Sequence, residues 1–108
     1  MIARVWHGYT RPANAGKYEA MLKPDIIPGL RNLKGYRGSI LLRKPGPDEV
    51  EFITVTLWDS MEAIRAVAGV NYEKAVVPEE RRAVLTRYDP KATHYEVASV
   101  HGLVAGKG

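Results

Sequence analysis

The sequence predicts an α+β domain whose chain runs strand, helix, strand, strand, helix, strand. Three observations predict this order. Two strand-like runs, Tyr36–Lys44 and 49–58, flank a segment of turn-forming residues at 45–48 and so indicate a β-hairpin. Apolar residues recur at helical spacing on both sides of the hairpin, and an alternating strand pattern lies near each end of the chain.

The first half supplies one strand and one helix. Residues 2–9 predict the first strand, with Val5 and Trp6 at its centre. Asn14 is expected to cap the following helix. A stripe at three-to-four spacing predicts the buried side of that helix, formed by Tyr18, Met21, Leu22 and Ile26, with Leu30 and Leu33 as an extension beyond Pro28 and Gly29.

The hairpin is the clearest element. Pro45 and Pro47 cannot donate ladder hydrogen bonds, so both strands must end at the loop. Successive residues of the second strand lie on opposite faces of the sheet. Neither the face that carries Phe52 nor the face that carries Ile53 is plainly polar. Both faces of this strand are therefore expected to be covered.

The second half repeats the pattern. Asp59 is expected to cap a helix with Glu62 reaching back as in a capping box, and Gly69 is expected to end it. The buried stripe of this helix is predicted from Met61, Ile64, Val67 and Ala68. A short third helix is predicted over residues 78–85, and a last strand over 93–100.

The order βαββαβ is the ferredoxin-like pattern. Right-handed crossovers place both helices on one face of a four-stranded antiparallel sheet of order 4-1-3-2. The other face would be exposed although its residues are apolar, which is unusual for a monomer. We therefore expect a homodimer that packs sheet against sheet about a two-fold axis.

The composition excludes several classes of protein. The chain has 108 residues, 45% hydrophobic and 26% charged, which is typical of one soluble domain. It has no cysteine, no apolar run near the ~20 residues of a membrane span, and no signal-peptide pattern. The net charge is +4, and the basic residues are scattered along the chain. We therefore expect a cytoplasmic protein that binds neither membrane nor nucleic acid.

Three stretches of the sequence resemble the antibiotic biosynthesis monooxygenase family of dimeric α+β barrels. They are 27–30 followed by 35–38, the strand-to-helix junction 56–64, and the closing 93–97. The resemblance covers residues 1–97 and leaves 98–108 as a strand extension or flexible tail. It implies a homodimer in which each chain keeps a pocket between its sheet and its helices.

The resemblance also bears on activity. Some members of that family oxygenate polycyclic phenols without metal or flavin, and others degrade haem with an asparagine, a tryptophan and a histidine. Those three positions fall near His7, Val67 and Val77 in this chain, and none matches. Haem degradation is therefore the less favoured activity, and no cofactor is expected.

Four polar residues are candidates for the chemistry. In a cofactor-free oxygenase the substrate supplies the electrons, and the protein removes a proton, holds the anion and excludes water. His7 and His94 are the candidate bases, because the topology brings the end of strand 1 beside the start of the last strand. Arg43 and Glu51 lie toward the same edge, and all four would make a polar mouth if their side chains point inward.

Each candidate also has a structural interpretation. The histidines could be ordinary strand-end residues, and Arg43 a solvated cation with Glu51 as its cross-strand partner. Trp58 could bind substrate or serve packing, and Tyr72 could donate from a lid or anchor a loop. No metal site is expected, because the histidines at 7, 94 and 101 lack a close-spaced carboxylate set.

Two functions follow from these observations. The first is a cofactor-independent monooxygenase that acts on a small aromatic or quinol-like compound. The second is a small-molecule-binding or accessory protein without catalysis on the same dimeric scaffold, because a fold does not fix a function.

Overall fold

The computed structural model describes residues 1–24, 33–75 and 77–102. The elements within these ranges are β1 (Ile2–Thr10), a 3-10 turn (Pro12–Asn14), α1 (Ala15–Pro24), β2 (Tyr36–Lys44), β3 (Val50–Trp58), α2 (Met61–Ala68), α3 (Glu79–Arg82), β4 (Leu85–Tyr88) and β5 (Thr93–Glu96). None of these helices is long and apolar enough to cross a membrane.

All strand pairs are antiparallel, and the sheet confirms the predicted topology. β2 pairs with β3, and β3 pairs with β1 over the whole of β1, from Ile2 opposite Trp58 to Thr10 opposite Val50. On the other side of β1, its first half pairs with β5 and its last residues pair with β4. The predicted order 4-1-3-2 holds, with two short strands end to end in the place of the fourth.

β4 was not predicted, because residues 78–85 read as one helix. The helix ends at Arg82, and Leu85 already pairs with Thr10 of β1. The last strand is also shorter than the predicted 93–100. It ends at Glu96 because its partner β1 begins at Ile2; the amide of Val97 makes a final hydrogen bond of 2.9 Å to the carbonyl oxygen of Met1.

The start of α1 differs from the sequence prediction. Asn14 lies inside the 3-10 turn, whose first helical residue is Pro12, so it does not cap α1. The predicted stripe is confirmed for Tyr18 and Leu22, which are buried, and Met21 packs beside them. Predictions for Ile26, Pro28, Gly29 and Leu30 lie outside the described residues.

The cap of α2 is Ser60 rather than Asp59. Ser60 Oγ accepts a hydrogen bond of 3.2 Å from the amide of Ala63, and this spacing leaves no capping box with Glu62. Asp59 instead pairs with Arg37. The predicted end at Gly69 is confirmed by its φ of 83°.

The core lies between the helices and one face of the sheet. Its centre is the edge-to-face pair of Tyr18 and Phe52, whose ring centroids are 5.0 Å apart. Val50 and Val84 complete this cluster with Leu22. Ile64 is buried as predicted for α2, but Val67 is 48% exposed and does not belong to the stripe.

The opposite face of the sheet, called here the uncovered face, is mostly apolar. The register places these side chains on it: Ala3, Val5, His7, Tyr9, Ile40, Leu42, Lys44, Glu51, Ile53, Val55, Leu57, Arg87, Thr93 and Tyr95. Leu42 is 47% exposed and Tyr95 55% exposed. The sequence therefore correctly indicated that β3 carries apolar residues on both faces.

Candidate functional site

A cleft lies between the helix-covered face of the sheet and the segments above it. Its floor consists of two cross-strand pairs on neighbouring strands: Arg4 of β1 lies opposite Thr56 of β3, and Trp6 lies opposite Thr54. Alternation along both strands directs these four side chains toward the helices. The floor therefore carries a guanidinium, an indole and two hydroxyl groups side by side.

The walls of the cleft are mainly apolar. They are formed by Tyr18 and Leu22 of α1 and by Ala75, Val77 and Arg81. The volume is about 150 Å³. Cavities of about this size accept one six-membered ring, whereas pockets for drug-sized ligands begin at roughly 300 Å³.

The segment that precedes α3 is attached to the sheet where β4 and β5 leave a break. The amide of Ala75 donates to the carbonyl oxygen of Pro90 over 2.9 Å, and the amide of Ala92 donates to that of Glu73 over 2.7 Å. These backbone bonds hold Ala75 above the sheet as a wall of the cleft.

The indole of Trp6 is fixed in place on the floor. Its Nε1 donates to the carbonyl oxygen of Asp89 over 2.7 Å, and its ring lies 5.8 Å from that of Tyr88. Gly8 is the next residue on this face, and a Cβ there would lie 3.0 Å from Cζ3 of Trp6. Glycine at this position therefore leaves room for the indole to lie over the strand.

Trp58, a predicted substrate-binding residue, is not among the residues that line the cleft. It is buried, and its ring meets that of Tyr36 edge-on at 5.5 Å. Its Nε1 donates to Thr56 Oγ1 over 2.9 Å. Because that hydroxyl accepts from the indole, its own hydrogen is left to donate, so Trp58 is connected to the cleft through Thr56.

His94 and Tyr72, two predicted site residues, form one cluster with Arg4. Arg4 Nη1 lies 3.2 Å from His94 Nε2 and also donates to the carbonyl oxygen of Tyr72. The rings of Tyr72 and His94 meet edge-on at 5.3 Å, and the guanidinium of Arg65 lies over Tyr72. His94 and Tyr72 line a neighbouring cavity of about 520 Å³ and are not among the described residues that line the cleft, so Arg4 joins this cluster to the floor of the cleft.

The charges in this cluster follow from burial. Burial lowers the pKa of His94, and the positive charge of Arg4 lowers it further, while Glu73 opposes the shift. Burial also lowers the pKa of Arg4 from its very high ordinary value. At neutral pH, His94 is a neutral imidazole beside a charged guanidinium.

The structure places His7 and Glu51 on the other side of the sheet, on the uncovered face. His7 Nδ1 lies 3.0 Å from Glu51 Oε2, and the hydroxyl of Tyr9 donates to the same oxygen over 3.2 Å. The hydrogen bond from His7, which is the largest cause, lowers the pKa of Glu51. His7 and His94 thus lie on opposite faces, because the register of β5 aligns His94 with Arg4 and not with an uncovered-face residue.

Arg43 is also separate from the other predicted site residues. Its Nη1 donates to Glu19 of α1 over 2.8 Å. Its cross-strand partner is Phe52, whereas Glu51 pairs with Lys44. The polar mouth expected from His7, His94, Arg43 and Glu51 does not form, because two of these side chains lie on each face of the sheet.

Arg4, Thr54 and Thr56 were not predicted from the sequence as site residues. A single arginine in a strand is usually a solvated cation, and threonine is common in strands, so neither indicates a binding site. The available signal was periodicity: Arg4 and Trp6 are two residues apart and so share a face. Within the ranges that the structure describes, no three histidine, aspartate or glutamate side chains are grouped as a metal site.

Comparison with known proteins supports the fold. No family model and no curated protein matches the chain. Among solved structures, a candidate antibiotic biosynthesis monooxygenase from Bacillus cereus superposes with a TM-score of 0.70 at 14% identity, covering 97% of this chain and 98% of that one. A second, from Chloroflexus aurantiacus, superposes with a TM-score of 0.54 at 18% identity, covering 94% and 98%.

A haem-degrading protein has the same fold. MhuD from Mycobacterium tuberculosis, solved with two hemes bound in its active site, superposes with a TM-score of 0.60 at 24% identity, covering 94% of this chain and 100% of that one. The chain described here therefore has the ferredoxin-like fold of antibiotic biosynthesis monooxygenases, as the resemblance predicted.

The cleft of this chain does not fit a haem. Its volume of about 150 Å³ is far below that of a porphyrin pocket, and Val77, which cannot ligate iron, forms part of its wall. Tyr18 is the one described lining residue of a type that ligates haem iron. Burial raises its pKa to about 12, which disfavours the phenolate that iron binds.

Proposed function

We propose that this chain is a cofactor-independent monooxygenase that oxidises a small phenol or quinol in the cleft over Arg4 and Trp6. The observation that carries the proposal is the Arg4–His94 pair beside a one-ring cleft with aromatic and aliphatic walls. Such a site offers a cation for a developing phenolate, a neutral imidazole for its proton and little room for water.

The reaction that suits this site is the oxidation of a phenol to a para-quinone. One oxygen atom of O₂ forms a bond to the ring carbon opposite the hydroxyl. The other oxygen atom leaves as water with the phenolic hydrogen and the hydrogen from that carbon. The substrate supplies the electrons, so the protein has only to ionise and hold the ring.

Each residue of the cluster has a role in this reaction. Substrate oxygen takes the place of the imidazole as the acceptor for Arg4, which frees His94 Nε2 to receive the phenolic proton. Trp6 packs against the ring, and the hydroxyl of Thr56 donates to a second substrate oxygen. Tyr72 holds Arg4 through its backbone carbonyl oxygen.

We further propose that two copies of the chain associate through the uncovered face. A contiguous apolar surface of this kind on a sheet is costly to leave in water. A two-fold axis would bury the same strands of both copies, and His7 and Glu51 would lie in or beside that interface. The catalytic role predicted for His7 stays a prediction, and the proposed reaction does not use it.

Oxygen consumption tests the proposal. Purified protein, with neither metal nor flavin added, is mixed with a panel of phenols and dihydroquinones while dissolved oxygen and quinone absorbance are recorded. We expect turnover that His94→Ala abolishes. His101→Ala is the matched control, because His101 is exposed and lies outside the strands and helices.

Two results would contradict the proposal. Tight binding of the panel without oxygen uptake would favour the alternative function, a binding or accessory protein without catalysis. A Soret shift on titration with hemin, together with release of iron, would favour haem degradation. We expect neither result, because the cleft is too small for a porphyrin.

A further inference from the structure

The charge of Arg4 is not balanced inside the cleft. The side chain is partly buried, and in the part of the chain that the structure describes both of its hydrogen bonds use Nη1. The two acceptors, the carbonyl oxygen of Tyr72 and His94 Nε2, are neutral. No described hydrogen bond uses Nε or Nη2, so these are the two donors left for a ligand.

The described residues around Arg4 also leave its positive charge without a negative partner in the cleft. A charge taken out of water is normally paired with an opposite charge, because a neutral acceptor offsets only part of the lost hydration. None of the described residues that line the cleft is an acid. Burial is the cause that lowers the pKa of Arg4.

We infer that the cleft binds a single-ring aromatic carboxylate, with the carboxylate on Arg4 and the ring against Trp6. This inference rests on the proposed function and names the substrate class of the same site. It goes beyond a phenol or quinol, because the ligand carries its negative charge before any chemistry begins.

The geometry favours a carboxylate over other anions. Nε and Nη2 of a guanidinium form a planar fork that matches the two oxygens of a carboxylate. Trp6 lies two residues from Arg4 on the same face, and both side chains line the cleft, so a ring whose carboxylate binds Arg4 can pack beside the indole. The volume of about 150 Å³ suits one ring better than a fused pair.

Calorimetry on the unaltered protein tests the inference without any mutation. Titrations are carried out without oxygen, so that binding is measured apart from turnover. We expect 2-hydroxybenzoate, which places its hydroxyl beside the carboxylate and so near His94, and benzoate to bind at least about tenfold more tightly than benzamide, the neutral analogue of the same shape as benzoate. We also expect 1-naphthoate to bind more weakly than benzoate.

Variants then test whether Arg4 is the cation that binds the carboxylate. Arg4→Met should remove the preference for benzoate over benzamide, and Arg4→Lys should keep part of it as a point charge. Arg37→Met is the matched control, because Arg37 is also a strand arginine but pairs with Asp59 away from the cleft. Thermal unfolding of each variant confirms that it is folded before titration.

The outcomes separate this inference from the proposed function. Equal affinity for benzoate and benzamide, or tight binding of 1-naphthoate, would overturn the inference even if neutral phenols are oxidised. Preference for benzoate without oxygen uptake on 2-hydroxybenzoate, whose ring carbon opposite the hydroxyl carries a hydrogen, would support the inference and contradict the oxygenase. A preference that persists in Arg4→Met would overturn the assignment to Arg4.

Discussion

Arg4 Nη1 lies 3.2 Å from His94 Nε2, and because a guanidinium can only donate, the imidazole must present an unprotonated nitrogen to it. This pair links the edge of the sheet to the floor of the cleft. It also makes the protonation of His94 unfavourable in the folded state, because the proton would add a second positive charge beside Arg4.

Acid should destabilise the protein through His94. Its pKa in the folded chain is lower than the ordinary value of about 6.5, so the unfolded chain binds the proton more readily. Stability is therefore lost as the pH falls below that value. Urea denaturation at about pH 7.5 and about pH 5 should show a larger loss for the wild type than for His94→Gln, which keeps an acceptor for Arg4. An equal loss in both would mean that His94 does not contribute.

A charge in the middle of the uncovered face should prevent association. Val55 lies between Val5 of β1 and Ile40 of β2 on that face. Sedimentation at micromolar concentration should show a dimer for the wild type and a monomer for Val55→Lys. Val70→Lys is the control, since Val70 is 94% exposed outside the sheet. A monomeric wild type would contradict the proposed interface.

Two substitutions at the start of α2 test which residue caps it. Ser60→Ala removes the acceptor for the amide of Ala63 and should cost about 1 kcal/mol of unfolding free energy. Asp59→Ala removes only an exposed ion pair with Arg37 and should cost less. Chemical denaturation measures both. A larger loss for Asp59→Ala would restore the cap that the sequence predicted.

Two glycines should respond to alanine in opposite directions. Gly35 has a φ of 86°, and a Cβ there would lie 2.6 Å from Cβ of Ala63, so Gly35→Ala should destabilise the protein by about 1–3 kcal/mol. Gly16 lies in α1 with open space around it, so Gly16→Ala should stabilise by about 0.4–1 kcal/mol. Thermal or urea unfolding of the two variants measures the difference. Equal effects would mean that the contact with Ala63 relaxes without cost.

The hairpin could be predicted from the sequence almost to the residue. Pro45 and Pro47 end both strands whatever the rest of the chain does, and β-branched residues fill β3. β4 could not be predicted, because Leu85–Tyr88 has one partly buried residue followed by three exposed ones and so carries no alternating apolar signal. Its strand conformation comes from pairing with the end of β1, which is a tertiary contact.

The site could be predicted only in part for a related reason. His94 and Tyr72 were recognised as candidates, but the face on which a strand side chain lies depends on the register, and a shift of one residue reverses it. That uncertainty led to the expectation that His7 joins His94. Arg4 was missed because its burial is created by residues 72–75, which are far from it in sequence.

The loops at the break between β4 and β5 shape the rim of the cleft, whereas other contacts hold the sheet together. Both connections that meet there, 73–75 and 89–92, are joined to each other by backbone bonds and to Trp6 through Asp89. Insertions or deletions in either one would alter the rim above Arg4 while β1 kept its pairing with β3. A lineage that carries this scaffold could thus diversify what it accepts by changing loop length alone, without reinventing its sheet.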